Sequence, residues 1–98
     1  MRIRLHPQAK FDLECAADWY EENADRDVAA DFLDAYDQAA ELIREHPEVG
    51  RFQSRRTRSI ALRRFPFSLV YTADEAEVLI VAVAHWRRRP MFWTRRKS

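Results

Sequence analysis

A chain of 98 residues with a net charge of +1 and 34% charged side chains has the length of one small domain, with no room for a second core. Folding at this size removes about two-thirds of the extended chain's surface from water, enough for one hydrophobic core without metal or disulfide. The single cysteine, Cys15, excludes an internal disulfide, and His6, His46 and His85 lack metal-ligand spacing. No run approaches a membrane span or signal peptide, so one cytoplasmic domain over residues 1–98, free of metal and cofactor, is expected.

Residues 2–6 alternate polar and apolar, placing Ile3 and Leu5 on one face of a short strand. Pro7 suits the first turn of a helix, where its missing N–H leaves no bond unmade. Ala9, Leu13, Ala16 and Tyr20 then form an apolar stripe, while Phe11 and Trp19 lie off it and either cap it or face a partner. Asn23, Asp25 and Asp27 supply capping side chains before a longer helix carrying Val28, Phe32, Ala35, Ala39 and Leu42. A second row, Ala29, Leu33, Tyr36, Ala40 and Ile43, widens that stripe, and the helix is expected to end near His46-Pro47. The two segments read as an antiparallel helical hairpin, with carboxylates such as Glu21, Glu22, Asp31 and Asp34 on solvated faces.

Gly50, the only glycine, closes a turn, and residues 51–56 read as a polar basic loop. The period then changes to two, with Ile60 and Leu62, and later Phe67, Leu69 and Tyr71, on strand faces. Pro66 is expected at a bulge or an edge, because proline cannot donate to a ladder. Residues 72–77 form a polar connection, and the apolar run 78–84 reads as a central strand buried on both faces. The expected fold is α+β in the order β-α-α-β-β-β. A small, twisted, mainly antiparallel sheet carries the two-helix hairpin on one face. The other face is half open and holds most of the arginines.

Charge is sharply divided along the chain. Residues 1–50 hold five Lys/Arg against thirteen Asp/Glu, and residues 51–98 hold twelve against three, so −8 opposes +9. Such asymmetry points to an anionic partner on the basic side, or to attraction between the two halves. The stretch His85-Trp-Arg-Arg-Arg-Pro-Met-Phe-Trp-Thr-Arg-Arg-Lys97 combines guanidinium forks with aromatic rings that can stack on bases or on a partner. Alternatively Met91, Phe92 and Trp93 fold back over the open sheet face. His85 sits where a strand ends, either as a hydrogen-bonded residue or as a proton carrier. Ser54, Ser59, Ser68 and Ser98 lack a nucleophile-elbow context, and a lone glycine excludes a phosphate-cradling loop.

These residues resemble the RelE/ParE toxin superfamily, closest to its ParE-like, plasmid-stabilisation branch. The resemblance runs from about Leu5 to Arg96. It rests on Ala9-x-x-Asp12-Leu13, Trp19-Tyr20, Phe32, Pro47-x-x-Gly50, Leu62-x-x-Phe65-Pro66-Phe67-x-x-x-Tyr71 and, above all, Val83-Ala84-His85-x-Arg87-Arg88-x-Pro90-x-x-Trp93-x-x-Arg96. Trp86 departs from the pattern, which has a small residue there, and implies an altered turn. The resemblance implies the fold derived above and either of two activities. RelE-like members cleave mRNA on the ribosome with basic residues on the middle strands, positions that fall here on Ser59, Ala61 and Ser68. ParE-like members bind and inhibit DNA gyrase without catalytic residues.

The resemblance therefore implies the toxin of a type II toxin–antitoxin pair acting on gyrase, with Arg87, Arg88, Arg89, Trp93, Arg95 and Arg96 as target-binding candidates. The alternative is a ribosome-dependent mRNA endonuclease using His85, Arg88, Arg63 and Arg64. A general RNA-binding module is a third possibility. As a toxin, the domain is expected to form a hetero-oligomer with an antitoxin that wraps it with an amphipathic helix and a strand. Phe11, Trp19, Phe67 and Trp93 are the candidate contacts.

Overall fold

In a computed structural model that describes residues 1–88 and 92–96, strand β1 (Arg2–Leu5) leads into helices α1 (Pro7–Asn23) and α2 (Arg26–Glu45). Four strands follow: β2 (Arg51–Phe52), β3 (Arg58–Ala61), β4 (Phe67–Ala73) and β5 (Glu77–His85), then a 3-10 turn at Phe92–Arg95. The helix starts have local causes. Pro7 occupies the first turn of α1 and the His6 Nδ1 accepts the Gln8 N–H at 3.0 Å. Asp25 caps α2 by accepting the Val28 N–H at 2.9 Å, satisfying one of the four donors that a helix N-terminus leaves unpaired.

The sheet runs in the order β1-β5-β4-β3-β2. β1 is parallel to β5 and every other neighbouring pair is antiparallel. The α+β architecture expected from periodicity is present, with two corrections. Arg51 and Phe52, read as loop, form a two-residue strand against Ser59 and Arg58. It is too short for any alternation to register, and the Arg58 guanidinium stacked on Phe52 supports its ladder. Pro66 lies neither in a bulge nor on an edge strand but in the turn before β4, so its missing N–H falls outside the ladder. In that turn Arg64 takes φ 72°, a left-handed conformation that costs a residue with a Cβ about 1–2 kcal/mol.

Both faces of the sheet are covered. On one, Phe32 of α2 meets Phe65 and Phe67 at ring-centroid distances of 5.4 and 5.1 Å, and Tyr20 of α1 closes the group at 5.3 Å from Phe32. Edge-on aromatic pairs of this kind add about 0.5–1.5 kcal/mol each beyond the area they bury. Ile43, Leu69, Val78, Ile80 and Val83 complete that core. On the other face Val70, Leu79, Val81, Ala82 and Ala84 pack under Trp93 and Phe92. The rings after Pro90 thus fold back over the sheet, one of the two arrangements left open by the sequence. One member of each row on α2, Leu33 and Leu42, remains exposed. No helix of the described residues is long and apolar enough to cross a membrane.

The ladder of β5 is irregular at one point. Val70 pairs with Ala82 but Tyr71 pairs with Ile80, so Val81 is an extra residue, a bulge. It brings Val81 and Ala82 onto the same face and turns Val83 back to the helical core. β1 also stops opposite Ile80, and beyond it no strand of the described residues lies beside that edge of β5.

Candidate functional site

The first turns of α1, the last residues of β5 and the 3-10 turn meet around Asp12. This carboxylate falls between Ala9 and Ala16 on the buried side of α1 and is itself only 8% exposed. Its Oδ2 accepts the Val83 N–H at 3.1 Å and Arg96 Nη1 at 2.7 Å, and its Oδ1 accepts Arg96 Nη2 at 3.2 Å. Arg96 Nη1 also donates to the Val81 carbonyl at 2.9 Å. The two side chains together pair backbone groups on the stretch of β5 that β1 does not reach. Arg88 Nη1 stands 3.5 Å from Asp12 Oδ1, at the limit of a hydrogen bond, and its guanidinium lies 3.7 Å from the Phe92 ring centre. Arg96 lies 5.0 Å from the same ring, so both guanidinium groups are within cation–π reach of Phe92.

Asp12 was legible as a landmark but not as a partner. The signal was its position, three residues after Ala9 and four before Ala16, which puts a carboxylate on the apolar stripe. A charge there needs a cation, and the cation came from 84 residues away.

The candidate target-binding residues separate on this framework. Arg87 and Arg95 are exposed, and Arg88 is half-exposed. Arg96 is buried in its ion pair, and Trp93 is buried against β4 and β5, its indole N–H without a hydrogen-bond partner among the described residues. Both therefore hold the C-terminal segment in place rather than presenting a free surface. Arg89 lies outside the described residues.

Three of the four candidate antitoxin contacts come together. Phe11 and Trp19, 66% and 58% exposed, join Cys15, Phe67, His85 and Arg88 around a largely apolar groove of about 640 Å³. Trp93, the fourth, lies on the opposite face of the sheet.

His85 ends β5 as a hydrogen-bonded residue. Its Nδ1 accepts the Arg87 N–H at 3.0 Å and its ring stands edge-on to Phe67 at 5.0 Å. Trp86 is tied to the neighbouring strand: its N–H donates to the Pro66 carbonyl at 3.0 Å and its Nε1 to Ser68 Oγ at 3.1 Å. The four residues named for cleavage are not brought together. Arg63 and Arg64 sit in the exposed turn before β4, where Arg64 approaches Asp31 of α2 at 3.9 Å. Neither lines the clefts that hold His85 and Arg88. Among the described residues no group of three His, Cys, Asp or Glu is placed to hold a metal.

A family model described as the ParE toxin of type II toxin–antitoxin system, parDE, matches residues 3–90. Among solved structures, a chain of the chromosomal ParDE TA system from P. aeruginosa superposes with a TM-score of 0.77. It is 18% identical, and the match covers 87% of this chain and 95% of that one. No curated protein sequence matches.

Proposed function

This chain belongs to the ParE toxin family of type II toxin–antitoxin systems, and from that premise we propose that it inhibits DNA gyrase in the cytoplasm as a single binding domain without catalytic residues. The observation that carries the reading is the set of exposed cations Arg87, Arg88 and Arg95, at the end of β5 and beside the buried Asp12–Arg96 pair. Arg95 closes the 3-10 turn that Arg96 anchors, so its backbone loses less conformational freedom on binding. The scattered positions of His85, Arg63 and Arg64 count against an endonuclease.

Replacing Arg87 and Arg95 together with alanine is expected to weaken toxicity about tenfold or more, in the range of truncating one or two interface hot spots. The thermal midpoint should not move, because both side chains are exposed. Supercoiling by purified gyrase is the readout. Full inhibition by the folded double variant would refute this surface, and intact supercoiling with the unaltered toxin would refute the target.

The partner that restrains it is an antitoxin whose amphipathic helix seats in the groove of Phe11, Trp19 and Phe67. Because Arg88 lines the same groove, that helix would cover one of the exposed cations, so neutralisation and target contact compete for adjoining surface. Trp19→Ala is expected to weaken the antitoxin complex about 30-fold or more, measured by calorimetry, as for a central aromatic anchor. Unchanged affinity would place the antitoxin elsewhere.

A further inference from the structure

A second groove, of about 620 Å³, lies between the β2–β3 hairpin and the sheet face that carries Leu79 and Val81, with Arg96 also in its lining. Thr72, Leu79 and Val81 line it, with Arg55, Arg56, Arg58 and Phe52 on the hairpin side. The hairpin loop is built to present these cations. The Gln53 and Ser54 N–H groups both donate to the Thr57 carbonyl, at 2.8 and 3.3 Å, and the Ser54 and Thr57 hydroxyls bond at 2.6 Å. Arg55 and Arg56 stand at the tip of this closed turn, exposed, and among the described residues neither has a carboxylate within ion-pair distance.

Arg58 is fixed differently. Its Nη1 donates to the Glu48 and Gly50 carbonyls at 3.1 and 2.8 Å, and its guanidinium lies 3.8 Å from the Phe52 ring centre. Carbonyls orient a guanidinium without cancelling its charge. Phe52 is nevertheless 63% exposed, so much of its ring faces solvent. At the other end of the groove Arg4 is paired with Glu77 at 2.6 Å, and Asp74 accepts the Ala76 and Glu77 N–H groups. The uncompensated positive charge is therefore confined to the hairpin end, beside an exposed aromatic ring and an apolar floor.

We propose that this groove binds nucleotide units, with phosphate on Arg55, Arg56 and Arg58 and the base against Phe52 and the Leu79–Val81 floor. A phosphate carries more acceptor oxygens and more charge than a carboxylate side chain, and so engages several guanidinium forks at once more readily. A nucleotide also carries, next to that anion, the flat apolar surface that Phe52 and the floor would cover. The site does not depend on which target the toxin reaches.

The test is fluorescence anisotropy of the full chain with a labelled single strand of about a dozen nucleotides, a length within the usual range for single-strand sites. The Arg55→Gln/Arg56→Gln variant should weaken binding about tenfold or more. It should also lower the slope of log affinity against log salt by about 1.4, two phosphate contacts on a single strand. Phe52→Ala should weaken binding roughly fivefold or more with the slope unchanged. Lys10→Gln/Arg26→Gln, an equal loss of charge on exposed helix positions, should change little. Displacement of the strand by AMP would identify a single-nucleotide site, and resistance to AMP a track along the strand; both support the proposal. Three results would overturn it: no binding at low salt, an equal loss in the Lys10/Arg26 variant, or competition by poly-glutamate with no effect of Phe52→Ala.

Discussion

Asp12→Ala should destabilise the domain by about 3–5 kcal/mol, the usual effect of removing one partner from a buried ion pair. Total stability for a domain is about 5–15 kcal/mol, so this one change removes a large share of it. The midpoint of thermal unfolding should fall on the order of 20 °C. The size of the effect comes from the groups left behind. Arg96, its side chain only 9% exposed, would keep a charge facing the Val81 carbonyl and the Phe92 ring with no anion, and the Val83 N–H would lose its acceptor. Arg88 offers no substitute, because it is half-exposed and 3.5 Å away; Arg88→Ala should cost less than about 1 kcal/mol.

Replacing both partners, as Asp12→Leu with Arg96→Met, should recover part of the loss by removing the isolated charge. It should not recover all of it, since the Val81 carbonyl and Val83 N–H would then lack partners, at about 1–3 kcal/mol each. Urea unfolding of the three variants measures these differences. In Asp12→Ala the indole fluorescence should also shift to the red as Trp93 leaves the sheet face. An unchanged urea midpoint in Asp12→Ala would show that the pair does not hold the C-terminal segment.

Much of this arrangement was legible in the chain, and the reasons differ by element. Pro7 and Asp25 marked the two helix starts because each solves a local hydrogen-bond problem within a few residues. The run 78–84 announced a buried strand, yet hid its bulge: when every residue is apolar, a reversal of the pleat at Val81 leaves no trace in the pattern. The paired strand at Arg51–Phe52 was invisible for a related reason, since two residues carry no period. Charge segregation was plain from the counts. Those counts could not show that Arg96 is neutralised inside the molecule while Arg55 and Arg56 face solvent. That distinction depends on Asp12, which is remote in sequence and adjacent only once the helix docks on β5.

Gly50→Ala should cost about 3–5 kcal/mol, from overpacking together with hydrogen bonds broken as the site gives way. The glycine is required by space rather than by backbone conformation, for its φ is not positive. A Cβ there would lie 2.6 Å from the Tyr71 hydroxyl, 2.8 Å from Tyr71 Cε1 and 2.9 Å from the Ser59 carbonyl. None of these can retreat freely. Ser59 O is backbone within the sheet, and Tyr71 is fully buried, accepting the Gly50 N–H at 2.9 Å and donating to the Pro47 carbonyl at 2.8 Å. Tyr71→Phe should cost about 1–3 kcal/mol by leaving the buried Gly50 N–H unpaired. In that background Gly50→Ala should cost less than in the wild type, because the shortest contact is gone; the contacts to Cε1 and Ser59 O remain and keep the cost above zero. Additive losses in the double-mutant cycle would mean that the Tyr71 hydroxyl is not what excludes a side chain at position 50. Alkaline titration supplies an independent check. Burial raises the Tyr71 phenol above its ordinary 10.0, so the folded state holds this proton more tightly than the unfolded chain. The stabilisation is complete below pH 10.0 and is lost as pH rises through the raised value, a loss that Tyr71→Phe should diminish.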